Sequence, residues 1–458
     1  MSADPSTSGR VPDPGIRQLY RLESRWQTWL DVEAALAQAQ AELGIVPADA
    51  AATITATARL ELLDRERIDE ATLRTSHTLV PLVWELARAA GEDAGRWVHW
   101  GATTQNVVQT GDLLTLRRAH HIFLGLLADA LSAMADLAEA GADLAMPART
   151  HGQHAVPMTF GYKVATWIDE ISRTIERLRG SESRTFVALL GGAAGTFASM
   201  GAQGPAVQAG VAARLGLTPM AVPARSIGDH LAEYVCVLGL LGGTGGRIAR
   251  EVYTLMKTEY GEVEEPMPPG TVGSSTMPQK RNPQLCQDMV AAAASLRASV
   301  PLALESMQIE HEADRSMSLI MREATERACV TTGELLSRLV VVLSGLRLNP
   351  DRMRRNLDLT DGLIMSEAVM LRLGEVIGRQ EAHDVVYEAA QAAAVGGGSL
   401  ASLLSEDPRV SDHLTADAIG ELLDPSTYTG LTPAISRDAA ARAREVAERT
   451  WAALPSAR

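Results

Sequence analysis

The chain has 458 residues, a formal net charge of −14 at pH 7, 46% hydrophobic residues and only 4% aromatic residues. This composition excludes a disordered chain. The acidic balance argues against a nucleic-acid-binding or anionic-membrane-binding protein, because both need clusters of Lys and Arg. The apolar residues are mainly Ala, Leu and Val, which favours packed helices over a β-sandwich. No membrane span is expected, and the three cysteines favour a cytoplasmic protein.

The polar segment at residues 1–13, rich in Pro, Ser and Asp, is predicted to be a mobile tail. Beyond it, apolar residues recur at helical spacing along most of the chain. The predicted helices lie at residues 16–43, 48–61, 79–90, 110–139, 157–178, 230–260, 283–307 and 324–346. Several of them carry few charges on any face, and such helices are usually buried on every side. We therefore expect an oligomer whose subunits share a helical core.

Three mostly helical domains are predicted, at residues 1–102, 103–350 and 351–458. The helical pattern is broken near the first boundary, and shorter helices with mixed faces follow the second. Residues 265–280 read EPMPPGTVGSSTMPQK and predict a long loop, because Pro and Gly disfavour helix. Long loops without secondary structure are usually functional.

This loop contains the most specific motif of the chain, GSSTMPQKRNP at residues 273–283. The motif resembles the signature loop of the fumarase/aspartase superfamily. The blocks HWGATTQ at residues 99–105 and RTHGQ at residues 149–153 resemble two further blocks of that superfamily. The resemblance covers nearly the whole chain and points to the branch of adenylosuccinate lyase and 3-carboxy-cis,cis-muconate cycloisomerase.

The resemblance implies an all-α fold of three mostly helical domains with a long central helix bundle. Four subunits would join their central helices into a twenty-helix core, and each active site would be shared by three subunits of the homotetramer. The implied reaction is an anti β-elimination from a substituted succinate, a small anionic dicarboxylate, to give fumarate. It implies no cofactor and no metal.

The resemblance also assigns roles to individual residues. Ser274 would be the general base, acting as an alkoxide, which requires nearby cations and amides that lower its pKa. Lys280 and Asn282 would stabilise the carbanion, and His151 would be the general acid or contact the leaving group. Further residues expected to bind substrate are Thr103, Thr104, Asn106, Thr150, Gln153, Ser275, Met277, Arg225, His77 and Arg322.

Several positions depart from the family pattern, among them Asn106 and Gln109, which stand where relatives commonly have aspartates. Gln287 stands where relatives have a glutamate that pairs with the acid histidine, and Gly228 and Ala313 each stand where relatives have an arginine. Arg225 is a candidate replacement for the first missing guanidinium. Since a glutamine cannot raise the pKa of His151 as a carboxylate would, general-acid help is expected to be weak.

Weak acid help favours a leaving group that departs as a stable anion. The specific expectation is therefore a carbon–nitrogen lyase that converts nitrosuccinate to fumarate and nitrite. The alternatives are 3-carboxy-cis,cis-muconate cycloisomerase and adenylosuccinate lyase. A non-enzymatic structural role is disfavoured, because Ser274, Lys280, Asn282 and His151 are all present.

Overall fold

The computed structural model describes residues 5–455 and confirms the predicted all-α class. Within that range there are twenty α-helices, and six short strands form three two-stranded sheets. The helices are α1 Pro5–Ser8, α2 Ile16–Leu19, α3 Leu22–Glu42, α4 Ala48–Thr57, α5 Arg65–Thr75, α6 Val80–Gly95, α7 Thr104–Ala140, α8 Phe160–Thr185, α9 Gly204–Leu215, α10 Asp229–Leu255, α11 Gln284–Arg297, α12 Ser299–Glu305, α13 Arg315–Ser344, α14 Pro350–Leu357, α15 Ser366–Ile377, α16 Arg379–Ala394, α17 Leu400–Glu406, α18 Pro408–Ser411, α19 Ala416–Leu422 and α20 Thr432–Ala452. The strands are β1 Ala145–Thr150, β2 Gln153–Thr159, β3 Val187–Ala188, β4 Thr218–Pro219, β5 Val263–Glu264 and β6 Arg347–Leu348.

Five long helical segments form the centre of the molecule: α7, α8, α10, α11 with α12, and α13. Contacts run from α7 to α8, to α10, to α11, to α13 and back to α7, which closes a ring. Large side chains such as Phe123, Trp167 and Tyr234 are fully buried inside it. Small residues allow close approach, since a Cβ at Gly239 would lie 2.4 Å from Cγ2 of Val300. The long central helices are therefore as predicted.

Successive helices of this ring run in opposite directions. The N–H of Phe160, which begins α8, donates to the carbonyl of Leu144 just beyond α7 at 2.9 Å. Arg184 at the end of α8 pairs with Glu233 in the first turns of α10. The ring thus has a Thr104 end, where α7, α10 and α13 begin, and a Ser274 end, where α8 and α11 begin.

A β-hairpin made of β1 and β2 connects α7 to α8 at the Ser274 end. The strands are antiparallel, with Thr150 opposite Gln153. His151 and Gly152 form the two-residue turn between them, with φ values of 52° and 78°. Turns with positive φ at both positions match the twist of a hairpin, so the tip of the RTHGQ block is a tight and defined turn.

Two helix starts differ from the predicted positions for local reasons. The helix predicted at residues 157–178 begins at Phe160, because the preceding residues complete β2. The helix predicted at residues 110–139 begins at Thr104, because the side chain of Asn106 caps its first turn.

Other boundaries follow from the same kind of local chemistry. The helix predicted at residues 283–307 is divided into α11 and α12, because Pro301 has no N–H for the carbonyl of Arg297. The helix predicted at residues 16–43 is interrupted between α2 and α3. The remaining predictions, at residues 48–61, 79–90, 230–260 and 324–346, correspond to α4, α6, α10 and α13.

The prediction of a mobile tail at residues 1–13 is wrong for the part that the structure describes. Thr7 is 1% exposed, and the Arg10 side chain donates to the carbonyl of Pro266 at 2.6 Å. The segment therefore packs against the protein beside the long loop. Residues 1–4 lie outside the described residues.

The C-terminal part has a small core of its own. Val369, Leu373, Val385, Leu400 and Leu404 are buried within α15–α17. In contrast, α20 packs along α7 and α8 of the central ring. The last helix thus ties the C-terminal part to the bundle, and the domain boundaries at residues 102 and 350 stay predictions.

Within residues 5–455 one helix, α7, is long and apolar enough to cross a membrane, contrary to the expectation that no segment is. Its apolar residues Phe123, Leu127 and Leu131 are fully buried. They pack in a helix that contacts α3, α8, α13 and α20. Its apolar character is explained by its burial between its ring neighbours and the outer helices α3 and α20.

Gly161 provides a test of the packing between α7, α8 and α20. A Cβ there would lie 2.4 Å from the carbonyl oxygen of Ala138 and 2.7 Å from Oγ of Ser436. We expect Gly161→Ala to lower the free energy of unfolding by about 1–3 kcal/mol, as overpacking does. Gly180→Ala in the same helix is the control, because no atom lies within 4 Å of its Cβ position. Urea unfolding of the two variants measures the difference, and equal stabilities would contradict this packing.

Candidate active site

The loop that carries the GSSTMPQKRNP motif is irregular, as predicted. Two contacts close its tip into a compact ring. Nδ2 of Asn282 donates to the carbonyl of Gly273 at 2.6 Å. Gly273 also lies so close to Lys280 that a Cβ would come within 2.3 Å of the Lys280 carbonyl oxygen. The loop conformation therefore depends on the missing side chain at position 273 and on the amide of Asn282.

Ser274 is half-buried inside this ring. Its Oγ accepts the backbone N–H of Met277 at 3.2 Å. A hydrogen bond donated to Oγ favours the alkoxide over the hydroxyl. The neighbouring charge of Arg281 is engaged by Glu264. Exposed at the tip are Ser275, Met277 and Lys280.

The turn of the β-hairpin presents the second predicted block. A buried ion pair holds the strand that leads to it, with Arg149 donating to both carboxylate oxygens of Glu262 at 2.6 and 3.0 Å. Asn356 donates to the same carboxylate at 2.7 Å. The exposed residues of the turn are Thr150, His151 and Gln153.

The first predicted block lies at the other end of the ring. Thr103 and Thr104 are half-buried at the start of α7. Asn106 is fully buried, and its Oδ1 accepts the N–H groups of Thr103 and Gly192, each at 3.1 Å. Asn106 therefore has a structural role in place of the predicted contact with substrate, because its side chain holds the threonine pair against a neighbouring loop.

A cavity adjoins the start of α7, and Arg225 is one of its charged lining residues. Nε of Arg225 donates to Oε1 of Gln105 at 2.8 Å, and Nη1 donates to the carbonyl of Ala193 at 2.7 Å. Both partners are neutral. Burial lowers the pKa of Arg225, but a guanidinium remains charged in proteins. The apolar residues of the wall include Val108, Leu113, Ile227, Leu231, Ile309 and Met321.

Gly228 and Arg225 line the same cavity. A Cβ at Gly228 would lie 3.5 Å from Cε of Met321, so a long side chain there would fill this space. The glycine therefore leaves the cavity open, and the replacement of the expected guanidinium at residue 228 by Arg225 stays a prediction.

Arg322 lines the cavity from α13, where it pairs with Asp112 at 3.1 Å. Burial raises the pKa of Asp112, while Arg322 and Arg25 act in the opposite direction. The positive charge of Arg322 is thus partly engaged by a carboxylate. Ala313 is exposed before α13 and contributes no charge.

His77 lies at the start of α6. Its Nδ1 accepts the backbone N–H groups of Leu79 and Val80 at 3.3 and 3.1 Å. The imidazole of His77 therefore caps a helix, and only its Nε2 remains for a ligand.

Within one chain the expected site residues form two separate groups. Thr104 and Arg225 lie at the Thr104 end, whereas His151 and Ser274 lie at the Ser274 end. The two ends are joined by α10, whose 27 residues span about 40 Å at ~1.5 Å per residue. One chain therefore cannot bring Thr104 and Ser274 to the same small substrate.

Comparison with known proteins agrees with the motifs. A family model described as "Lyase" matches residues 9–297, and a model described as "Adenylosuccinate lyase C-terminus" matches residues 362–439. The chain belongs to the fumarase/aspartase superfamily of lyases. The predicted superfamily and its adenylosuccinate lyase/cycloisomerase branch are thereby confirmed.

Individual lyases of this superfamily resemble the chain over almost its whole length. It is 39% identical to N-acetyl-S-(2-succino)cysteine lyase of Dickeya dadantii over 420 residues, 92% of each chain. It is 40% identical to 3-carboxy-cis,cis-muconate cycloisomerase of Pseudomonas aeruginosa over 418 residues, 91% of each chain. The crystal structure of fumarate lyase from Mesorhizobium sp. BNC1 matches with a TM-score of 0.88 and 36% identity, covering 94% of this chain and 98% of that one.

Sequence reasoning missed the residues that hold this lyase's motifs in place. Gln105 orients Arg225, Glu262 holds the hairpin through Arg149, and Glu265 caps α11. Only a weak signal was present in the sequence, because Glu262 and Glu265 stand in an acidic run where the loop begins. Their role is evident from their full burial, and burial depends on the tertiary structure.

His99 gives a pH-dependent test of how the first block is held. Its Nδ1 lies 2.6 Å from Oε1 of Glu33. Burial alone would lower the pKa of His99, but the Glu33 carboxylate outweighs it and the pKa is raised above 6.5. This stabilisation is therefore fully present below pH 6.5 and is lost as pH rises through the folded-state pKa.

The measurement compares wild type with His99→Gln, which keeps a polar side chain but does not titrate. We expect the free-energy advantage of the wild type in urea unfolding to shrink between acidic and alkaline pH. Parallel stability–pH curves for the two proteins would contradict a raised pKa for His99.

Proposed function

We propose that this lyase cleaves a carbon–heteroatom bond of a 2-substituted succinate by anti β-elimination and releases fumarate. The observation that carries the proposal is the compact Gly273–Asn282 ring around Ser274. In it a serine hydroxyl receives a backbone N–H, and an exposed lysine lies at the same tip. This is a suitable arrangement for removing a weakly acidic proton beside a carboxylate.

The reaction balances without a cofactor. Ser274, as an alkoxide, takes the proton from the carbon next to one carboxylate. The electron pair of that C–H bond is held on the carboxylate as a doubly charged form, for which Lys280 and Asn282 supply positive charge and an N–H donor. The pair then forms the C=C bond of fumarate as the leaving group departs with the electrons of the carbon–heteroatom bond.

We propose that the active enzyme is a homotetramer with sites shared by three subunits, and that it is cytoplasmic. The separation of about 40 Å between the two ends of the ring supports sharing, because antiparallel association would bring a Thr104 end next to a Ser274 end of another copy. Thr103, Thr104, Thr150 and Gln153 would then bind the substrate carboxylates, and His151 would face the leaving group.

For the leaving group, the first candidate is nitrite, released from nitrosuccinate by carbon–nitrogen cleavage. Gln287, which is exposed on the first turn of α11, supports it. A glutamine at that position cannot hold a proton on His151 by charge as a carboxylate would, and nitrite needs little protonation to depart.

The cavity beside Arg225 favours a second candidate, the thiolate of an N-acylated cysteine. A thiol has a pKa of roughly 8.5, so it also departs with little acid help. Its acyl and carboxylate groups are larger than nitrite and suit an apolar cavity with an uncompensated guanidinium. The resemblance to N-acetyl-S-(2-succino)cysteine lyase is in line with this chemistry.

A substrate panel tests these assignments. Purified enzyme is incubated with nitrosuccinate, N-acetyl-S-(2-succino)cysteine and adenylosuccinate, and fumarate is followed by its absorbance. With 3-carboxy-cis,cis-muconate the loss of the substrate's own absorbance is followed, because cycloisomerisation gives a lactone and no fumarate. We expect fumarate from one of the first two, and Ser274→Ala should lower kcat by at least ~100-fold, since it removes the base. Turnover of only adenylosuccinate or the muconate would overturn the proposed leaving groups, and an active Ser274→Ala would overturn the base.

Mixing of subunits tests the shared site. Thr104→Ala and Ser274→Ala should each be nearly inactive alone. Refolded together, they should recover about one quarter of wild-type activity, because each site then draws the two residues independently from different subunits. Recovery no greater than in separately refolded controls would contradict sharing.

A further inference from the structure

The N-terminal segment packs against the foot of the Ser274 loop. Arg338 donates to Oγ1 of Thr7 at 3.0 Å, and Thr7 in turn donates to Asp288 in α11. Arg338 and Asp288 also form an ion pair at 3.5 Å. These contacts place residues 7–10 beside the start of α11, where the loop ends.

Arg10 joins the two feet of the loop. Its Nη2 donates to the carbonyl of Pro266 at 2.6 Å, near the beginning of the loop. Its Nη1 donates to Oε1 of Gln284 at 3.2 Å, just after the loop. The Arg10 side chain is only 14% exposed and also lies 3.8 Å from the carboxylate of Glu265.

Glu265 makes the same connection from the other side. Its carboxylate accepts the backbone N–H of Leu285 and of Cys286, each at 3.0 Å. These N–H groups belong to the first turn of α11, which has no intrahelical acceptor for them. The carboxylate is fully buried, so Arg10 is its compensating charge.

We propose that Arg10 and Glu265 form a loop anchor that fixes both feet of the Ser274 loop, and that Arg10 is a positioning residue for catalysis. The inference rests on the proposed role of Ser274. The tip of the loop is exposed, and apart from the contacts that close residues 273–282 it is tied to the protein by the ion pair of Arg281 with Glu264. Glu264 directly precedes Glu265, so the direction in which this tip projects depends on the foot that Arg10 and Glu265 hold. A small misplacement of reacting groups is enough to slow an enzyme on the order of 100-fold.

The test uses the loop's own protease sites. Trypsin can cleave after Lys280 and Arg281, which are exposed. The variants are Arg10→Met, which keeps the length of the side chain without its donors, and Arg10→Lys, which restores one charge. Arg409→Met is the matched control, because Arg409 also bonds to two carboxylates, Asp407 and Glu388, in the C-terminal part.

We expect Arg10→Met to be cleaved at the loop at least ~5-fold faster than wild type, as local opening becomes more frequent. Its kcat should fall on the order of 10-fold with a smaller change in KM, because the loop supplies the base. Arg10→Lys should be intermediate in both measurements, and Arg409→Met should match wild type. If Arg10→Met does not fold, Arg10→Lys and Glu265→Gln carry the same comparison.

Each other outcome overturns the loop anchor or its role. Unchanged cleavage means that Arg10 does not hold the loop, whatever happens to kcat. Faster cleavage with unchanged kcat means that the feet do not position the base. If wild type produces no fumarate from any substrate of the panel, the proposed function fails by itself, while the cleavage comparison still decides whether the anchor exists.

Discussion

The rigid ring of long antiparallel helices is the constraint on which the rest of the molecule depends. Because α10 alone spans about 40 Å, the threonine pair at one end and the Ser274 loop at the other are held apart by the bundle itself. The burial of α7 between its ring neighbours and the helices α3 and α20 makes this separation stiff. A site that needs both groups must therefore be built between copies of the chain, and this requirement supports the proposed homotetramer.

Buried charged residues at the Ser274 end hold the hairpin and the Ser274 loop in defined positions on this stiff scaffold. Glu262 and Glu265 are three residues apart and fully buried. The first holds the hairpin that presents His151, and the second holds the foot of the Ser274 loop. Breaking such a pair is costly, because it would leave a charge without a partner in the interior. Buried partners thus hold the segments that carry the exposed functional residues. The side chains of those residues remain accessible to a substrate.

The Thr104 end has a different character. Its cavity is largely apolar, and Arg225 enters it with neutral partners only. The net charge of −14 would repel a dianion at long range, so capture would depend on local groups of this kind. The glycine at residue 228 adds space where relatives have a side chain. One departure from the family pattern, Gly228, thus lies in this cavity, whereas Gln287 lies beside the Ser274 loop, whose GSSTMPQKRNP motif keeps the family's form.

The sequence by itself determined the superfamily, the all-α class, the long central helices and the loop at residues 265–280. These could be predicted because the spacing of apolar residues and the sequence motifs are local properties of the chain. It could not reveal that residues 157–159 are a strand or that Arg10 packs against the loop, because both depend on partners far away in the chain. It assigned Asn106 to substrate, while the tertiary structure buries it as a cap between two segments. Only the fold decided which charges are paired and which are free, since burial and distance arise from packing and not from order along the chain.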